Sequence, residues 1–161
     1  MKLAINMSAY EFDYPEFVTR MLAIVDRIGV DPGKIILEFT EGVMFSNMSE
    51  TLAKMLALKA RGVLFALDDF GIGYSSLAYL KDLPLDQLKI DQSFVCDVLT
   101  NPNNATIART IIALGQSLKL AIVAEGVETE AQRDFLAFHG CRIFQGFLFG
   151  KPGPIEELQS I

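Results

Sequence analysis

Two adjacent aspartates, Asp68 and Asp69, end an apolar run and open a glycine-punctuated turn in the stretch ALDDFGIGYSS, residues 66–76. Neighbouring carboxylates repel. Their pairing costs free energy unless one carboxyl takes up a proton or both face something positive. A solvated turn is the plain reading of such a pair, and a divalent cation site is the chemical one. Other polar residues stand at comparable places. Asn6 closes the run KLAIN (2–6), Glu38 lies near the end of KIILEF (34–39), and Asp68 ends VLFALD (63–68). Lys89 lies near the end of DQLKID (86–91), Glu125 ends LAIVAE (120–125), and Gln145 sits in CRIFQGF (141–147).

Asn, Glu and Asp oxygens are hard ligands that suit Mg²⁺, Mn²⁺ or Ca²⁺. No histidine stands among them, which argues against zinc. With Asp68 facing inward and Asp69 on the loop, the second aspartate reaches another ion about 4 Å away, the spacing of two-metal phosphoester chemistry. Lys89 is suited to hold a phosphate oxygen or an attacking water. Glu125 is the candidate base that takes a proton from that water.

These side chains work together only if the elements gather them. Five of the six runs have the apolar density of strands buried on both faces, while DQLKID alternates. Helix-like stretches lie between the runs. Residues 15–29 close on Gly29, and residues 49–62 open with Ser49 as an N-cap candidate and end on Gly62. Residues 103–118 and 129–140 read the same way, and YSSLAYLKDL is a shorter helix candidate ended by Pro84. TNPNN (100–104) reads as an exposed loop. Strand–helix alternation predicts an α/β chain of parallel strands with helical crossovers. Parallel strands deliver their C-terminal ends to one rim, where barrel and open-sheet enzymes build their sites.

Composition narrows the classes. The chain has 161 residues, 51% of them hydrophobic and 21% charged, enough for one domain with a substantial core. A net charge of −6 argues against a broad basic surface for a nucleic acid polymer. Two cysteines without a CxxC predict a reducing, cytoplasmic setting, with both as small buried residues. The N-terminus does not read as a signal peptide, and no apolar run approaches the roughly 18 residues a spanning helix needs. Gly71-Ile-Gly73 lacks the third glycine of a dinucleotide-binding fingerprint, Ser76 standing there instead. His139 reads as a helix-end residue, and Glu156 and Glu157 read as solvated surface.

The motifs INMSA (5–9), LEFTE (37–41), DDFGIGYSSL (68–77), LPLDQLKID (83–91), IVAEGVET (122–129) and FQGFLFGKP (144–152) carry a resemblance. In this order and spacing the chain resembles the EAL-domain cyclic di-GMP phosphodiesterases of bacteria. The resemblance implies a (β/α) TIM-type barrel that hydrolyses the cyclic dinucleotide to linear pGpG with two Mg²⁺ or Mn²⁺ ions. It implies that Asn6, Glu38, Asp68 and Glu125 are metal ligands and that Asp69 serves the second ion. Lys89 would position the attacking water, Glu125 would be the general base, and Gln145 would bind substrate or organise the site. Glu41 and Glu128 would steady the loop 69–75 and the acidic cluster.

The chain also departs from that family. It contains no Glu-Ala-Leu, whose glutamate the resemblance implies as a further metal ligand. Residues 1–161 therefore read as one EAL-type domain, the C-terminal two-thirds of the family's, with about six strands and the first two barrel strands missing. Arg142 stands where aspartate is usual and Phe147 where tyrosine is usual. The missing glutamate predicts impaired hydrolysis, and the two sheet edges that an incomplete barrel exposes predict self-association, for instance as a homodimer. The alternative function is an inactive nucleotide-binding or protein-interaction module of second-messenger signalling.

Overall fold

In a computed structural model that describes residues 2–40, 48–72 and 80–154, each of the six apolar runs forms a strand. They are β1 (Leu3–Asn6), β2 (Ile35–Thr40), β3 (Leu64–Phe70), β4 (Gln87–Ile90), β5 (Ala121–Ala124) and β6 (Ile143–Phe144). They pair in sequence order into one parallel sheet. The described helices are α1 (Ala9–Asp13), α2 (Phe17–Ile28), α3 (Met48–Lys59), α4 (Gln92–Val95), α5 (Pro102–Ser117) and α6 (Glu130–Phe138). A 3₁₀ turn at Pro32–Lys34 leads into β2. The architecture is a six-stranded, incomplete parallel barrel.

Side chains alternate across a strand, so parity sorts the sequence into two faces. One face carries Ile35, Leu37 and Phe39 from β2, Phe65 and Leu67 from β3, Leu88 and Ile90 from β4, and Ile122 from β5. These form the core beneath the helices, with α5 packed on β4 and β5. The other parity carries Ala4, Ile36, Gln87, Val123 and Ile143, which line the concave side of the sheet. Two residues further along the chain from each stand Asn6, Glu38 and Lys89, within their strands, and Glu125 and Gln145, just past theirs. The alternation of DQLKID thus belongs to a fully paired inner strand whose polar residues face the concavity.

Between β3 and β4 the register slips: Leu67 pairs with Leu88 and Phe70 with Ile90. Asp68 and Asp69 together oppose the single Lys89, which is a β-bulge. Asp69 takes a left-handed backbone, φ 52°, and its N–H donates to Asp68 Oδ1 at 2.9 Å. Aspartate tolerates that conformation better than most residues. A regular strand would send the two carboxylates to opposite faces. The bulge allows both to reach one side.

Several boundaries differ from the sequence reading. Residues 102–104 belong to α5 and Asn101 caps it: the Asn101 side chain accepts from the Asn103 and Asn104 N–H groups, and Pro102 is the first helical residue. Proline suits that position because its missing N–H has no helical partner there. Ser49 lies inside α3 rather than capping it. Gly29 ends α2 in the left-handed conformation as expected, and Thr129 caps α6. Cys141 is buried, but Cys96 is exposed at the end of α4. The helix expected over 74–83 lies mostly outside the described residues, as do Glu41, Glu156 and Glu157.

Candidate functional site

The rim gathers around Lys89. Its Nζ lies 2.7 Å from Glu38 Oε2, 3.1 Å from Asp68 Oδ1 and 2.7 Å from Glu125 Oε1. Three strands, β2, β3 and β4, and the residue after β5 therefore meet at one ammonium whose side chain is 4% exposed. Burial alone would depress Lys89. The hydrogen bonds it donates to Glu125 and Glu38, with the charges of Glu125 and Asp68, outweigh it and hold the ammonium above its ordinary range. Lys89 is therefore a fixed positive charge and a donor, not a base.

Glu125 behaves differently. Burial raises its carboxyl above the usual range, aided by the charges of Asp68 and Glu38, although its bond to Lys89 works the other way. Asp69 is also raised, first by burial, then by the charges of Asp68 and Asp91 and by a hydrogen bond with the Asp91 side chain.

Asp91 was not among the site residues singled out in the sequence. It follows β4 directly, is buried, and accepts from the Ser93 N–H at 2.8 Å as the N-cap of α4. Two signals for it were available. It stands two residues after Lys89, hence on the same face, and an aspartate followed by a short helix is a cap pattern.

Asn6 lies directly opposite Glu38 in the β1–β2 register, and the following Met7 N–H donates to the Glu38 carbonyl at 2.9 Å. Gln145 stands at the far end of the rim, beyond β6, and with Glu38 lines a cleft of about 830 Å³ along the concave face. Phe144, Phe147 and Lys151 close its outer wall. Glu128 is exposed on the loop after β5, its N–H donating to Gln132 Oε1 at 2.9 Å. Among the described residues its carboxylate is not part of the acidic cluster.

The donor set fits a divalent cation. Asp68, Asp69 and Glu125 each offer an oxygen, and these oxygens lie within 4.8 Å of one another. Three carboxylates, Glu38, Asp68 and Glu125, meet a single ammonium, so the cluster carries excess negative charge that hard cations neutralise. Asn6 adds a neutral oxygen donor beside Glu38.

The EAL domain family model matches residues 1–152. The bifunctional diguanylate cyclase/cyclic di-GMP phosphodiesterase MucR of Pseudomonas aeruginosa is 44% identical over 156 residues, covering 97% of this chain and 23% of MucR. The MucR phosphodiesterase, solved as a c-di-GMP complex, superposes with a TM-score of 0.92, covering 98% of this chain and 64% of that one. Klebsiella pneumoniae BlrP1, solved as a manganese and cyclic di-GMP complex, is 32% identical with a TM-score of 0.85, covering 94% of this chain and 39% of that one. The chain spans a fifth to a quarter of the length of the curated relatives it matches. No helix among the described residues is long and apolar enough to cross a membrane. The matched span runs from β1 through the outer wall of the cleft, and on that span the chain belongs to the EAL domain family.

Proposed function

We propose that this chain carries most of the catalytic centre of a cyclic di-GMP phosphodiesterase that opens the cyclic dinucleotide to linear pGpG. The observation that carries this reading is the Lys89-centred carboxylate cluster at the strand-end rim, in a chain of this family. Residues 1–161 act as one EAL-type unit. Asn6, Glu38, Asp68, Asp69 and Glu125 are the residues that would hold two divalent ions, Mg²⁺ or Mn²⁺. When bound, such ions neutralise charge on the phosphodiester and make water acidic enough to attack at neutral pH.

The chain's own residues supply the rest. Lys89 remains protonated and donates to the attacking water or to a phosphoryl oxygen, stabilising negative charge as it develops. Glu125, with its raised carboxyl 2.7 Å from that ammonium, receives the proton of the attacking water. Asp91 orients Asp69 through their shared hydrogen bond. Gln145 offers an amide to the nucleotide from the wall of the cleft. Glu41 and Glu128 steady the adjoining loops.

A second reading follows from one feature of the sequence: these residues contain no Glu-Ala-Leu. The ligand set implied by the family resemblance is therefore one carboxylate short within the 161 residues, which then bind the nucleotide more readily than they cleave it. One experiment separates the readings. The polypeptide is incubated with cyclic di-GMP and Mn²⁺, pGpG is followed by chromatography, and nucleotide binding is measured by calorimetry. Product formation that disappears in Glu125→Gln supports the enzyme, binding without product supports the second reading, and neither binding nor product overturns both.

A further inference from the structure

Helix α3 buries a lysine that the proposed chemistry does not use. The Lys54 side chain is 10% exposed, and its Nζ lies 2.9 Å from the carbonyl oxygen of Phe12, 3.1 Å from that of Asp13 and 3.4 Å from that of Tyr14. Glu50 Oε1, one turn earlier on α3, balances the charge at 2.8 Å. The three carbonyls form the C-terminal end of α1, a five-residue helix. A helix that short leaves most of its carbonyls without intrahelical partners, and an ammonium there also meets the negative end of the helix dipole. A buried charge is an expensive way to fill space. An apolar side chain would do that at less cost, so the geometry points to a role for the bonds themselves.

Helix α1 leads directly back to the candidate site. Its N-cap, Ser8, exchanges hydrogen bonds with Glu11 two residues beyond Asn6. Between them, the Met7 N–H is tied to the Glu38 carbonyl. Phe12 gives α1 a second hold: its ring meets Lys54 Nζ at 5.7 Å and packs edge-on against Phe39, the neighbour of Glu38, at 4.7 Å. Lys54 thus grips one end of α1, while the other end continues into the Asn6–Glu38 pairing.

We propose that Lys54 is a positioning residue for the Asn6–Glu38 end of the rim. It anchors α1 from α3 and so fixes the backbone that carries Asn6 against Glu38. Its consequence for ion binding rests on the divalent-metal reading above, whereas its effect on the strand end does not.

The test uses the 161-residue chain as wild type, Lys54→Met and Lys54→Gln. Methionine keeps the length without a donor, and glutamine keeps a single donating group should the apolar variant fail to fold. Hydrogen exchange without metal is expected to accelerate at least tenfold at residues 7–14 and to stay unchanged in β3 and β5. Mn²⁺ titration is expected to show at least fivefold weaker binding in a variant that remains folded. Unchanged exchange at residues 7–14 in a folded variant overturns the proposal. Accelerated exchange with undiminished Mn²⁺ affinity also overturns it, leaving Lys54 a purely structural residue. If wild type itself binds no Mn²⁺, the divalent-metal reading fails, and the exchange measurement still decides whether Lys54 fixes the strand end.

Discussion

Lys89 holds three carboxylates that would otherwise face one another across the rim, and its removal exposes their repulsion. Lys89→Met is expected to destabilise the metal-free chain by about 3 kcal/mol, the cost of leaving buried charges without their partner. Urea unfolding measures the loss. Mn²⁺ should then raise the melting temperature more in this variant than in wild type, because the ion takes over the neutralising charge. At the bulge, Asp69→Asn offers Asp91 an amide donor and keeps an αL-tolerant backbone. It should leave metal-free stability within about 1 kcal/mol of wild type, while calorimetric titration shows weaker ion binding. The pH dependence has a definite sign. Asp69 and Glu125 have raised carboxyls, so the folded state binds more protons than the unfolded state above the ordinary carboxylate range. Their contribution is full below that range and is lost as pH rises through their folded values. Stabilisation by Mn²⁺ should grow over the same interval, since the ion binds the deprotonated forms. Melts in non-chelating buffers from acid to neutral pH check both trends.

At the scale of elements, local signals set the helix ends. Gly29 and Thr129 were legible because a left-handed C-terminus and a capping hydroxyl are local requirements. The start of α5 was misread, since Asn-Pro signals a turn as readily as a helix beginning. The strand ends depend on close backbone approach. A Cβ on Gly146 would lie 2.2 Å from the Val127 carbonyl oxygen, where the chain passes from Gln145 to the cleft wall. Gly146→Ala is expected to cost about 2 kcal/mol by overpacking and to weaken nucleotide binding by displacing Gln145, readable in urea unfolding and calorimetry. The bulge at Asp68 and Asp69 was not legible. Nothing in ALDDFG states that β3 slips against β4, because register belongs to the pair of strands.

At the scale of the whole molecule, these 161 residues expressed alone present β1 as an edge strand, with Leu3, Ile24 and Ile28 exposed nearby. Exposed edges and apolar side chains recruit further chains. The isolated polypeptide is expected to be dimeric or larger at tens of micromolar, and light scattering after size-exclusion chromatography checks it; a clean monomer would sink the expectation. The sequence by itself determined the parallel α/β class, the places of the strands along the chain and the polar residues at the strand ends. Apolar runs, turn residues and alternation are local properties of a chain. It also determined the family resemblance, through six motifs in fixed order. Only the tertiary structure decided that Lys89 meets Glu38, Asp68 and Glu125 at once, that Asp91 reaches Asp69, and that Lys54 closes the end of α1. Those contacts join residues 21 to 51 positions apart, and the sequence does not specify distances across a sheet until the strands have paired and twisted. The two aspartates show the division most plainly. Their adjacency is written in the chain, and their convergence on one side comes from a bulge that exists only between β3 and β4.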